Sequence, residues 1–110
     1  MIGSDTANAP NRLMQLIDKI FTTSPDTTVL IANLIPLSFS QANVNTYNQR
    51  IQSLVEQRIS QGQKLVFVSM SSVTTSDLAD GVHPNAAGYV KMGRAWYEGW
   101  KVAVQKGWIR

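Results

Sequence analysis

The chain has 110 residues, 44% of them hydrophobic and 15% charged, with a formal net charge of +3 and no cysteine. This is the composition of one globular domain, residues 1–110, able to bury an ordinary apolar core. It excludes disulfide scaffolds, zinc fingers, iron–sulfur clusters and thiol nucleophiles. The longest apolar run, Val29 to Leu37 with Asn33 inside it, is far below the roughly 20 residues of a membrane-spanning helix, so no membrane role is expected. Met1-Ile2-Gly3-Ser4-Asp5 has neither the basic nor the apolar region of a secretory signal. The basic excess falls entirely after residue 55, but its Lys and Arg are interspersed and match no nucleic-acid-binding signature, so nucleic acid is not an expected partner.

Between Asn8 and Thr23 the residues Leu13, Leu16, Ile17, Ile20 and Phe21 recur with the spacing of one helical face, behind Asn8-Ala9-Pro10 as a start. Ser24-Pro25-Asp26 breaks that pattern. Thr27 to Pro36 is β-branched and almost continuously apolar, as in a strand buried on both faces of a parallel sheet. From Ser40 to Ser60 helical spacing returns, with Val44, Tyr47, Ile51, Leu54, Val55 and Ile59 on one stripe and Gly62 as the stop. Lys64 to Met70 is a second apolar strand, so the strand, helix, strand order forms a right-handed crossover between parallel neighbours. A polar loop from Ser71 to His83 follows, and Pro84, at a first-turn position, opens a last helix through about Lys106. The spacing of Trp96 and Trp100 predicts packing against the sheet, with a carbohydrate-stacking platform as the alternative. The order predicts an α/β fold with parallel strands between helices. Two long strands, with at most a stub at Met1 to Gly3, leave such a sheet short of neighbours.

The segment Asp77 to Met92 lies beyond the carboxyl end of a strand and before a helix, where ligand sites form in open α/β sheets. Asp80 and His83 are three residues apart around Gly81. That spacing lets the carboxylate accept a hydrogen bond from His83 Nδ1 and leaves Nε2 free to take a proton from a hydroxyl, which is the orienter and base of a hydrolytic triad. Read in isolation, the pair also fits a helix N-cap with a surface histidine beside it. A single His and no Cys cannot furnish the usual transition-metal ligands, and no cofactor is implied.

The full string D-G-V-H-P-N-A-A-G-Y-V-K-M, residues 80 to 92, resembles the last block of the SGNH, or GDSL, hydrolases, and in detail fungal members of carbohydrate esterase family three. Ala9-Pro10-Asn11-Arg12-Leu13, Leu16-Ile17-Asp18-Lys19-Ile20, the strand with Asn33 to Pro36, and Tyr47-Asn48 extend the likeness over nearly the whole chain. The resemblance implies a flavodoxin-like three-layer α/β/α sandwich, His83 as general base, Asp80 as its partner, and ester substrates, above all acetylated plant polysaccharide. It also implies that much of the family fold is absent. There is no G-D-S nucleophile block and no oxyanion glycine block, and the G-x-N-D block survives only as Gly3-Ser4-Asp5-Thr6. The hydroxyls of Ser4, Ser69, Ser71, Ser72 and Ser76 stand in no motif that would activate them. The expectation is therefore a truncated ester hydrolase, weak or inactive alone, that keeps Asp80 and His83. Its alternatives are a non-catalytic relic and a self-assembling or interaction module. The open strand edge predicts a homo-oligomer, or a partner supplying the N-terminal half, and no stable monomer.

Overall fold

A computed structural model describes residues 8–39 and 41–109. Its elements are α1 (Ala9–Thr23), β1 (Val29–Ala32), α2 (Gln41–Ser60), β2 (Leu65–Val68), a 3₁₀ turn (Thr75–Asp77) and α3 (Ala86–Gln105). β1 and β2 pair in parallel, with Val29 opposite Leu65 and Ala32 opposite Val68. The predicted stub at Met1 to Gly3 and the predicted helix start at Ser40 lie outside the described residues.

Alternation along the strands sorts the layers. Ile31 and Leu65 join Met14 and Ile17 of α1 and Val55 of α2 in one core cluster, while Ala9, Tyr47 and Ile51 form a second. On the opposite face Leu30, Val66 and Val68 meet α3 at Gly99. The arrangement is a partial three-layer α/β/α sandwich: α1 and α2 on one face, the parallel pair in the middle, and α3 on the other. An Asp18–Arg58 ion pair ties α1 to α2 across their outer surface.

Three sequence expectations change here. β1 is shorter than Thr27 to Pro36 because the Asn33 side chain takes the next donor of the neighbouring strand segment, Met70 N bonding Asn33 Oδ1 at 2.7 Å. Asn33 N still donates to Val68 O at 3.2 Å, but Leu34 donates to Asn48 Oδ1 (2.8 Å) and accepts from Asn48 Nδ2 (3.0 Å). Pro36 then has no N–H to offer a ladder. Leu16, expected in the core, is exposed, and Met14 is buried in the face beside it. The third change concerns α3. Trp96 and Trp100 do not pack as buried residues against the sheet; they are 40% and 45% exposed. The buried residues of α3 are Gly88, Gly99 and Ala103. The helix lies so close to β2 that a Cβ on Gly99 would stand 2.6 Å from Val68 Cγ2, and indole rings cannot enter that gap. Tyr97 and Trp100 instead stack on each other with centroids 5.9 Å apart.

Candidate active site

The loop between β2 and α3 is built as a series of short closures. Val73 N donates to Met70 O (3.0 Å), and Met70 N donates to Asn33 Oδ1 (2.7 Å), which anchors the loop's departure to the end of β1. Asp77 is the buried charge of the loop. Its Oδ2 accepts from Thr74 N (2.9 Å) and from Lys91 Nζ (2.8 Å), and its carbonyl accepts from Asn85 N (2.7 Å). The ammonium of Lys91 and the Thr74 bonds hold the Asp77 carboxyl below the ordinary carboxylate range. A single side chain thus locks the start of the loop to the first turns of α3.

Leu78 and Pro84 form an antiparallel bridge, and Ala79 N donates to His83 O at 2.8 Å, so residues 79 to 83 close into a small turn. Within it Asp80 Oδ1 accepts from Val82 N (3.0 Å) and His83 N (2.7 Å), and Asp80 Oδ2 lies 2.7 Å from His83 Nδ1. The backbone N–H of His83, then its ring, then the N–H of Val82 hold the Asp80 carboxyl down to about 2. At any higher pH the carboxylate is an acceptor only, so Nδ1 carries the proton of this bond. In the neutral imidazole Nε2 is then left as the free acceptor. Both side chains are open to solvent, His83 at 71% and Asp80 at 57%.

Gly81 makes the turn possible. Its φ is +84°, and an added Cβ would meet Ser38 Oγ at 2.3 Å. The same residue's carbonyl accepts from Ser38 N at 2.9 Å, which fastens the turn to the segment after β1. α3 begins two residues later than predicted: Pro84 precedes the cap, and Asn85 is the N-cap, its side chain accepting from Gly88 N at 2.9 Å. Capping by Asn85 leaves the Asp80 carboxylate to the turn and the imidazole, so the N-cap alternative for Asp80 does not apply.

The candidate hydroxyls lie elsewhere. Ser69 and Ser71 hydrogen-bond each other at 3.0 Å, and both line a cavity of about 520 Å³ beside β2 together with Ser72, Lys91 and Arg94. Ser76 shares a 2.7 Å bond with Thr74. Ser4 lies outside the described residues. Among the described residues no hydroxyl is hydrogen-bonded to the His83 ring, and no three His, Asp or Glu side chains come together to hold a metal ion. Sequence reasoning gave no role to Asp77, Asn85 and Lys91. The Asn two residues after His83, just before the alanines, was the available sign of the cap. The Asp77–Lys91 pair spans 14 positions and has no periodic signature.

No family model matches the chain. It is 36% identical over 102 residues to a protein of Acetivibrio thermocellus that goes by the name endoglucanase X, covering 89% of this chain and 44% of that one. It is 39% identical over 61 residues to a multidomain esterase of Ruminococcus flavefaciens, covering 54% of this chain and 8% of the other. The solved structure of a Clostridium thermocellum family 3 carbohydrate esterase superposes with a TM-score of 0.72 at 32% identity, over 87% of this chain and 50% of that one. The chain therefore spans half or less of the length of each of these proteins. In sequence and in fold it is similar to about half of a family 3 carbohydrate esterase.

Proposed function

We propose that this chain supplies the acid–base half of an ester hydrolase of the SGNH, or GDSL, carbohydrate esterase type, acting on acetyl esters of polysaccharide. The single observation that carries the reading is the 2.7 Å contact between Asp80 Oδ2 and His83 Nδ1, in a turn that also clamps Asp80 Oδ1. His83 Nε2 takes the proton of a serine hydroxyl as its oxygen attacks the ester carbonyl, and returns that proton to the departing alcohol oxygen. Water then attacks the acyl-serine through the same imidazole. Asp80 holds the tautomer and stabilises the imidazolium formed in between. The serine and the oxyanion donors belong to the part of the fold that these 110 residues do not include. Each missing oxyanion donor is worth on the order of a hundredfold to a thousandfold in rate, so the chain alone is a weak esterase or none.

The test is hydrolysis of p-nitrophenyl acetate, by the chain alone and by the chain mixed with a separately produced polypeptide comprising the part of the Clostridium thermocellum esterase outside the match. Little turnover alone, and turnover in the mixture that His83→Ala abolishes, is the expected result. Turnover in the mixture that His83→Ala leaves unchanged overturns the assignment of the base. Robust His83-dependent turnover by the chain alone overturns the assignment of only half a site. A second reading, a binding module that keeps the scaffold without the chemistry, is favoured by the lack of any hydroxyl bonded to the His83 ring among the described residues. It predicts binding of acetylated xylan fragments without hydrolysis in either sample.

A further inference from the structure

The cavity of about 520 Å³ beside β2 shares no lining residue with the Asp80–His83 turn. Its floor is apolar, made by Val66 and Val68, which face α3, and by Ala95 and Val102 of α3 itself. Gly99 rests on Val68, and Lys91 and Arg94 stand about two turns and one and a half turns earlier in the helix, at the end of β2 from which Ser69, Ser71 and Ser72 depart. Lys91 and Arg94 are three residues apart and lie on one face of α3. The bonding of these groups leaves donors over. Lys91 Nζ gives one N–H to Asp77 Oδ2 at 2.8 Å, and its side chain is still 39% exposed; an ammonium has three donors. Arg94 is exposed, and among the described residues its guanidinium has no ion-pair or hydrogen-bond partner. Ser69 Oγ donates to Ser71 Oγ at 3.0 Å and accepts from Ser71 N at 3.3 Å, so the hydroxyl proton of Ser71 remains to be given. Asp77 offsets Lys91, and Lys101 offsets Glu98 at 3.1 Å, which leaves Arg94 as the uncompensated charge of the lining.

We infer that this cavity binds a sugar acid, a pyranose ring that carries a carboxylate. Three features select this ligand. A guanidinium fork matches a planar carboxylate with two parallel hydrogen bonds, and Arg94 has its fork unused. One uncompensated positive charge matches a monoanion, whereas the second charge of a phosphate dianion would face Glu98 without a partner. The apolar floor matches the C–H face of a pyranose, and the serine hydroxyls at its end match ring hydroxyls. A neutral sugar leaves Arg94 without its partner, and an aliphatic acid leaves the serines without theirs. The cavity volume is that of an ordinary small-molecule pocket. Lys91 serves both places, since the ammonium that holds Asp77 in the loop also lines the cavity. The inference goes beyond the proposed function and does not depend on it, because neither the imidazole nor a nucleophile takes part. Beside that function the cavity supplies an anchor for acidic units of a polysaccharide.

The experiment is a titration of the 110-residue chain with sodium glucuronate, followed through backbone amide resonances, with glucose, acetate and inorganic phosphate as separate arms. Saturable shifts at Ser69, Ser71, Ser72 and Arg94, with a Kd of about a millimolar that rises with added sodium chloride, are the expected result. Glucose, acetate and phosphate should each bind at least about tenfold more weakly. Arg94→Ala, at an exposed position, keeps the fold and should weaken glucuronate binding about tenfold. Arg50→Ala, on α2, removes the same charge away from the cavity and should leave binding unchanged. Absence of saturable shifts at these residues, binding of glucose, acetate or phosphate as tight as that of glucuronate, or equal weakening by Arg50→Ala each overturns the inference. No arm reads hydrolysis, so failure of the proposed function in its own assay leaves this result untouched, and failure here leaves that function standing.

Discussion

A single methyl group placed at two points of α3 should act with opposite sign. At Gly93 an added Cβ meets nothing within 4 Å; at Gly99 it stands 2.6 Å from Val68 Cγ2, with Leu30 Cδ2 at 3.5 Å and Val66 Cγ1 at 3.8 Å. Carbon atoms rest at about 3.5–4.0 Å, so Gly99→Ala requires helix and strand to part by roughly 1 Å. Val68 cannot turn aside easily, because it is buried, β-branched and held in β2. Overpacking of this kind costs about 1–3 kcal/mol, against a helix-propensity gain of about 0.5–1 kcal/mol for replacing glycine by alanine. Gly93→Ala collects the propensity gain alone. Since that gain is common to both variants, the difference between them isolates the close approach of α3, at about 1–3 kcal/mol. Urea unfolding followed by far-UV circular dichroism measures it as a difference in midpoint at constant m. Equal midpoints for the two variants would refute the claim that α3 is seated on the sheet through its glycines.

Three further outcomes are expected. In Asp80→Asn the amide oxygen stays where Val82 N and His83 N donate, so its N–H₂ faces Nδ1 and the neutral imidazole moves its proton to Nε2, which nitrogen chemical shifts of the ring detect directly; unchanged shifts would contradict the tautomer assigned here. The Asp80 carboxyl should titrate at about 2. Because its folded-state value lies below its unfolded one, its contribution to stability is complete above the ordinary carboxylate range of about 3.9 and is lost as pH falls through about 2; carboxyl carbon NMR against pH reads the midpoint, and an ordinary value would show the turn to be open in solution. Asn85→Ala removes the N-cap of α3 and should cost about 0.5–2 kcal/mol in thermal or urea unfolding, whereas a change within a few tenths would mean that Gly88 N finds another acceptor.

What was legible in the sequence followed from periodicity. The stripe Val44, Tyr47, Ile51 and Val55 is the buried face of α2, and the apolar runs around Ile31 and Val66 are the paired strands. Periodicity failed where a distant side chain or a close approach decided the outcome. The β1 ladder ends where the Asn33 side chain takes Met70 N, 37 residues away, and Asn48 of α2 holds both backbone groups of Leu34; nothing in the strand's apolar composition announces these partners. In α3 the large aromatics drew attention to the wrong face. A hydrophobic scale ranks tryptophan above glycine, but a helix pressed onto a sheet can tolerate only what fits between the backbones. The sequence carries that signal as Gly88, Ala95, Gly99 and Ala103, small residues at helical spacing. The Asp77–Lys91 pair was invisible for a similar reason, since its two ends belong to different elements.

The Asp80–His83 pair was legible because it is local, and its locality also separates it from the rest of the site. Every hydrogen bond to the Asp80 carboxylate comes from Val82 or His83, and the turn is braced by Ala79, by Ser38 through Gly81 O, and by the Asp77 lock onto Asn85 and Lys91. None of these contacts uses the edge of β1 turned away from β2. An ester hydrolase built on such a plan divides its chemistry between parts of unequal dependence. In the proposed reading the base and its orienter assemble within residues 77 to 91 with one brace from Ser38, whereas a nucleophile and oxyanion donors carried elsewhere must be delivered by the sheet. If the proposed function holds, turnover in the mixture with the complementary polypeptide depends on how accurately that polypeptide aims a serine at an imidazole already held in place.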